Sequence, residues 1–256
     1  MSSRIVWSSL VFPAILAFSP TITHAETSAA NQQASPVSTT TATALTARFE
    51  TRVTPIHAHD KGEHAVKASQ SEWYFIRSAN AVETRDLQGS RSEYWLLGSN
   101  GKVYYKKLYH AQKKSVEVFP GDQDMMGNFQ WDKVSTMLNQ QDLATLKKVG
   151  TTKAMGEPAE IRTGVINGAK VQLTWLTESQ LPAKLVRRYP DKVVSLTMSQ
   201  RYSADKSPVQ ITSTDTIQSY DVIDMADFGD MEDDPFVRSV MNEASANGQA
   251  THTHSH

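Results

Sequence analysis

Two runs of histidine are the residues whose type and spacing most plainly offer chemistry. His57, His59 and His64 fall in the octapeptide HAHDKGEH beside Asp60 and Glu63, and His252, His254 and His256 end the chain in HTHSH. Imidazole and carboxylate are ligands for Zn²⁺, Cu²⁺ or Ni²⁺, and alternate histidines on a flexible segment can reach one ion together. Neither run lies in a helical pattern that would fix ligand geometry, so the alternatives are capture of Zn or Cu or a solvated loop, and not a catalytic metal centre. His110 stands alone in a strand pattern and reads as a half-buried sheet residue.

A second periodicity is acidic. Asp221, Asp224, Asp227, Asp230 and Asp233 recur every three residues, with Glu232 and Asp234 alongside. Oxygen clusters suit Ca²⁺, yet the EF-hand order of acids with glycine at the sixth loop position is missing, so these acids are expected to face solvent or cap helices. Asp227-Phe228-Gly229 copies a kinase tripeptide without the glycine-rich and catalytic loops that give it meaning. There is no Gly-x-Ser-x-Gly, His-Glu-x-x-His or phosphate loop, and the chain reads as a non-enzyme without catalytic residues. It also has no cysteine. Thiol catalysis, disulfides and Cys-type zinc sites are therefore excluded, and any metal must be held by histidine and carboxylate.

The elements that would carry these residues begin after an address. Residues 1–25 hold one cation, Arg4, then an apolar run from Ile5 to Phe18, then Thr23-His24-Ala25. Small residues before a cut, and a run shorter than the roughly 20 residues needed to span a bilayer, are the marks of a cleaved secretory signal. The expected location is the periplasm, with no membrane span in the mature chain. Residues 26–46 (ETSAANQQASPVSTTTATALT) carry one charge and no aromatic side chain, and are expected to form a flexible leader. The formal charge of -1 argues against a dedicated nucleic-acid binder. It conceals an asymmetry, because residues 215–256 contain nine acids against the single base Arg238. An acidic end of this kind also admits a third reading, docking onto a basic envelope partner.

Residues 47–225 read as one antiparallel β-sheet domain. Glu72–Ser78, Ser92–Leu97, Lys102–His110 and Ser115–Phe119 are rich in Val, Tyr and Trp, and Ser99-Asn100-Gly101 supplies a hairpin turn. From Phe129 to Val149 the apolar period changes to three and four, which predicts a helical insertion of one helix or two short ones. Lys147 and Lys148 would then fall in its last turn and Gly150 just past its end. Strands return at Ala159–Ile166 and Ala169–Leu176 around Asn167-Gly168, then at Ala183–Tyr189, Val193–Tyr202 and Tyr220–Met225. The turns are too short for crossover helices, so antiparallel pairing is expected throughout. Asp234-Pro235 opens a helix running to about Ala244 within the acidic, His-bearing end at 226–256.

The hairpin at Asn167-Gly168, the strand ending in Trp175 and the phrase Gln180-Leu181-Pro182-Ala183-Lys184-Leu185 resemble the periplasmic lipoprotein-carrier superfamily, the LolA/LolB-like fold. The resemblance covers about half of the mature chain. It implies an α+β fold, a curved antiparallel β-sheet (incomplete barrel) covered by helices, with an apolar cavity that takes acyl chains or other hydrophobic ligands. On that footing the chain is expected to carry a hydrophobic small molecule or lipid, or a peptide of another envelope protein, on the concave face. Trp73, Phe75, Trp95, Trp175, Leu185 and Met198, with Tyr94, Leu173 and Leu196, are the residues that would line it, although core packing explains large apolar side chains equally well.

Overall fold

The computed structural model describes residues 43–56, 68–118 and 129–248. Their strands are β1 (Leu45–Pro55), β2 (Ser69–Arg77), β3 (Ala81–Asp86), β4 (Arg91–Leu97), β5 (Val103–Tyr109), β6 (Lys114–Val118), β7 (Lys147–Ala154), β8 (Glu157–Ile166), β9 (Ala169–Leu176), β10 (Leu181–Arg188), β11 (Lys192–Tyr202) and β12 (Asp221–Asp224). They form one open sheet in the order β12-β6-β5-β4-β3-β2-β1-β11-β10-β9-β8-β7. The α+β expectation of a curved antiparallel sheet covered by helices is met. Two meanders, β1–β6 and β7–β11, are joined where β1 pairs along its length with β11. Register shifts at Arg48/Phe49, Lys148/Gly150 and Pro182/Lys184 add the local twist that curls a sheet. Pro182, which has no N–H to donate, sits at one of these irregularities.

Strand alternation puts one residue set inward. On β9, Val171, Leu173 and Trp175 are buried while Lys170 and Gln172 are exposed, as the sequence pattern required. Asn167 and Gly168 adopt φ of 48° and 77°, the left-handed pair of a tight hairpin. The inner face is covered by α1 (Trp131–Thr136) and α2 (Gln140–Thr145), which bring Met137, Leu138, Leu143 and Leu146 into one core with the sheet. At the β5–β6 end it is covered by α4 (Pro235–Gly248) and the 3₁₀ turn Met225–Gly229, through Phe228, Val237 and Val240 on Tyr109 and Val116. The short α3 (Thr214–Gln218) packs Ile217 on the outer face against Ala81, Tyr94 and Leu108.

Several expectations change. The helical insertion is two short helices, and it ends before Lys147, because Lys147 and Lys148 pair with β8 as the start of edge strand β7. The two lysines thus protect a sheet edge instead of ending a helix. Leu45 and Thr46, read as leader, are buried in β1. Strand β12 pairs with β6 in parallel, breaking the antiparallel rule at one edge, because residues 119–220 lie between the two strands in sequence. Residues 1–42, which include the signal reading, lie outside the described residues. The N-cap of α4 is as expected: the Asp234 carboxylate accepts from Phe236 N and Val237 N at 2.7 and 3.1 Å, which holds its pKa below the usual carboxylate value.

Phe49 is fully buried on β1, stacked on Trp73 at 5.1 Å and edge-on to Phe75 at 6.3 Å. We expect Phe49→Ala to cost about 3–5 kcal/mol, read from urea midpoints at unchanged slope.

Candidate functional site

The inner face is the candidate site, and it is built from the strands upward. Alternate positions of β1, β2, β4 and β5 contribute Phe49, Trp73, Phe75, Trp95 and Tyr105. Phe129, ahead of α1, stacks on Tyr105 at 5.0 Å and meets Trp95 edge-on at 6.3 Å. The Trp73 indole satisfies its N–H on Thr51 Oγ1 at 3.0 Å, so the ring is buried without an orphaned donor. Trp73, Phe75, Trp95, Trp175, Leu185 and Met198 all fall in this one core, each 5 % exposed or less. Leu173 and Leu196 join them, whereas Tyr94 lies on the outer face beneath α3, one residue out of phase with Trp95.

The cover over this face is slight, and arginines hold it down. Helices α1 and α2 have six residues each, too few to be stable alone. Arg77, buried on β2, donates to Ser135 O in α1 and to Ser179 O after β9, both at 2.7 Å, and to Thr43 O at 3.0 Å. Burial lowers its pKa to about 10, partly offset by Glu157, so it stays charged at neutral pH. Arg162 on β8 reaches the carbonyls of Leu143 and Leu146 at 3.1 and 3.3 Å, where a cation complements the end of α2. Gly164 lets α2 come this close: a Cβ there would lie 2.8 Å from Leu146 Cδ2 and 3.4 Å from Thr145 O. A cleft of about 300 Å³ opens beside Arg77's partners, lined by Thr43, Leu45, Ser179, Arg201 and Tyr202. Its buried Glu157 accepts from Ser179 N, Ser179 Oγ and Arg201, which fixes the turn before β10.

One polar row crosses the inner face. Thr84, Glu93 and Lys107 are cross-strand neighbours on β3, β4 and β5, and all three are buried. Tyr105 donates its hydroxyl to Glu93 at 3.1 Å. Burial lowers the Lys107 pKa to about 8, against the opposing pull of Glu93 and Glu243, while Arg91 lowers it further. Sequence reasoning missed this row, as it missed Arg77 and Arg162, because β3 (AVETRD) reads as polar and exposed.

The outer face has its own polar cluster, without catalytic geometry. His110 is hydrogen bonded to Ser92 Oγ at 2.6 Å and to the Tyr220 hydroxyl at 2.8 Å, and Glu83 lies 3.8 Å from Nε2. The carboxylate is on the same ring nitrogen as the serine, and Ser92 is fully buried, so no nucleophile–base–orienter relay exists. Burial and then Arg85 lower the His110 pKa, keeping it a neutral sheet residue as its solitary position implied. Among the described residues, no three His, Asp or Glu gather as a metal site. Asp221, Asp227, Asp230, Glu232 and Asp233 are exposed, and Asp224 caps the 3₁₀ turn through Ala226 N. His57, His59, His64, His252, His254 and His256 lie outside the described residues.

No protein-family model and no curated protein matches the sequence. Solved structures give weak matches. MucB is 16% identical with a TM-score of 0.36 over 68% of this chain and 56% of that one, and a structure of MucB in complex with MucA(peri) also matches. The Mycobacterium tuberculosis lipoprotein LppX is 12% identical with a TM-score of 0.29, covering 65% of this chain and 89% of that one. PNGF-II is 10% identical with a TM-score of 0.38, and the match spans 78% of this chain but only a third of PNGF-II. At these identities and TM-scores the matches supply neither a role nor a site residue. Among the described residues no helix is long and apolar enough to cross a membrane.

Two outcomes follow. Arg77→Met strands carbonyls of α1, the Ser179 turn and Thr43, and should cost about 3 kcal/mol, with hydrogen exchange of α1 accelerated beyond that of β1. A lysine whose folded pKa is depressed binds fewer protons folded than unfolded, so stability contributed at this site rises with pH from about 8 toward the ordinary lysine value. Urea midpoints measured across that interval should rise more in the wild type than in Lys107→Met.

Proposed function

We propose that this protein is a non-enzymatic binding or carrier protein of the cell envelope, holding a hydrophobic, acyl or lipid-like ligand against the aromatic inner face of the sheet. The supporting observation is the mismatch between that face and its cover. A wide surface carrying Phe49, Trp73, Phe75, Trp95, Tyr105 and Trp175 is closed at its centre by two six-residue helices. They are held to the sheet by Leu138, Leu143 and Leu146 in the shared core, by the carbonyl contacts of Arg77 and Arg162, and by a close approach at Gly164. Such short helices draw their stability from the surface they cover, so an apolar ligand that supplies the same burial can displace them. The amino-terminal address fits delivery to the envelope, where acyl chains need a protected path through water.

The test is a titration of delipidated full-length protein with cis-parinaric acid, a fluorescent fatty acid. We expect saturable binding with Kd on the order of micromolar, quenching of tryptophan emission, and tighter binding when Gly164→Val props α2 away from β8. A flat titration for both proteins would overturn the reading.

A further inference from the structure

Resting on that proposed function, we infer that the buried polar row on the inner face is the head-group station for a ligand with a single carboxylate, and that Glu243 of α4 occupies the place of that carboxylate in the closed form. The row is anomalous where it sits. Val82, Trp95, Tyr105 and Val118 run across β3 to β6 as an apolar stripe, and the next stripe inward-facing along the same strands is Thr84, Glu93, Lys107 and Val116. Thr84 is fully buried and its Oγ1 has no hydrogen-bond partner among the described residues. Tyr109, 3 % exposed and next along β5 on the same face, likewise buries a hydroxyl without such a partner. A buried hydroxyl left unbonded costs about 1–3 kcal/mol. One beside Glu93 and one beside Lys107 mark a place where polar groups are kept for a purpose other than folding.

The charges define what fits. Glu93 and Lys107 lie directly opposite one another and balance. Arg91 at the rim is balanced by Glu243, 3.0 Å away, which arrives on α4. Helix α4 also packs Phe236 edge-on to Tyr109 at 4.9 Å and under Lys114 Nζ at 5.2 Å, with Val237 and Val240 buried beside it. When α4 lifts, Glu243 leaves with it, and Arg91 is left without its partner carboxylate beside two unbonded hydroxyls and an apolar floor. That is the complement of a monoanionic carboxylate on a single acyl chain, with the chain running over Trp95 and Tyr105 toward the main core. A neutral head would leave Arg91 unpaired.

The experiment compares cis-parinaric acid with its methyl ester on full-length protein, using wild type, Arg91→Gln and Glu243→Gln; both substitutions are at partly exposed rim positions. We expect the acid to bind about tenfold more tightly than the ester. Arg91→Gln should remove that preference, so that acid and ester bind alike, and Glu243→Gln should tighten the acid severalfold more than it tightens the ester. Equal binding of acid and ester, unmoved by either substitution, overturns the head-group station and leaves the apolar binding reading intact. A flat titration with both ligands overturns the proposed function and the station together.

Discussion

The pairing of β1 with β11 is the constraint on which the rest of the molecule depends. Ten pairs from Thr46↔Tyr202 to Pro55↔Lys192 join the two meanders into one sheet, and β2 pairs on the other edge of the same strand. Without that seam each meander would present an apolar face too small to bury itself. With it, Phe49 and Val53 lie between Trp73 on one side and Leu196 and Met198 on the other, giving one continuous inner face. The two partners are separated by more than a hundred residues, so the contact is entropically expensive to close and only long, fully paired strands offset it. It also sets the positions of groups far from it: Arg77 on β2 meets Ser179 after β9 because β1 and β11 hold the two halves in register.

Covering that face divides the labour between apolar burial and a few charged contacts. Helices α1 and α2 supply Leu138, Leu143 and Leu146, while Arg77 and Arg162 satisfy carbonyls that short helices cannot satisfy internally. Helix α4 uses the same logic at the other end, with Asp234 capping its start and Glu243 engaging Arg91. The cover therefore consists of separate pieces with local attachments, and one piece can open while the seam stays paired. A binding protein needs such a division, since a single continuous cover would tie ligand entry to global unfolding.

Much of the architecture was legible because strands with one wet face announce themselves. Val171, Leu173 and Trp175 alternate with polar residues, Asn167-Gly168 can adopt two positive φ values, and Asp234-Pro235 starts a helix for reasons local to those residues. The first three residues of edge strand β7, Lys147–Val149, read as the end of a helix because KKVGTTKA has no inward face: it is exposed along nearly its whole length. Strand β3 was missed for the opposite reason. Its Glu83 and Thr84 look like surface residues, yet both are buried, Glu83 because Thr212 and Arg85, distant from each other in sequence, converge on its carboxylate. The large apolar residues singled out in the sequence share one buried core, except that Tyr94 faces outward, where a one-residue phase difference decides the face.

The sequence by itself determined the class of fold, the turns, the helix cap and the apolar set, because each follows from neighbours within a few residues: period, φ preference, capping chemistry. Only the tertiary structure decided which polar residues are buried, which arginines hold the cover, and which carboxylate stands over Arg91. Those outcomes depend on side chains brought together from strands dozens of residues apart, and the free energy of burying a charge is fixed by the partner it meets there. Nothing in Lys107 or Glu93 taken singly distinguishes them from surface residues; the shared buried row beside an apolar stripe does.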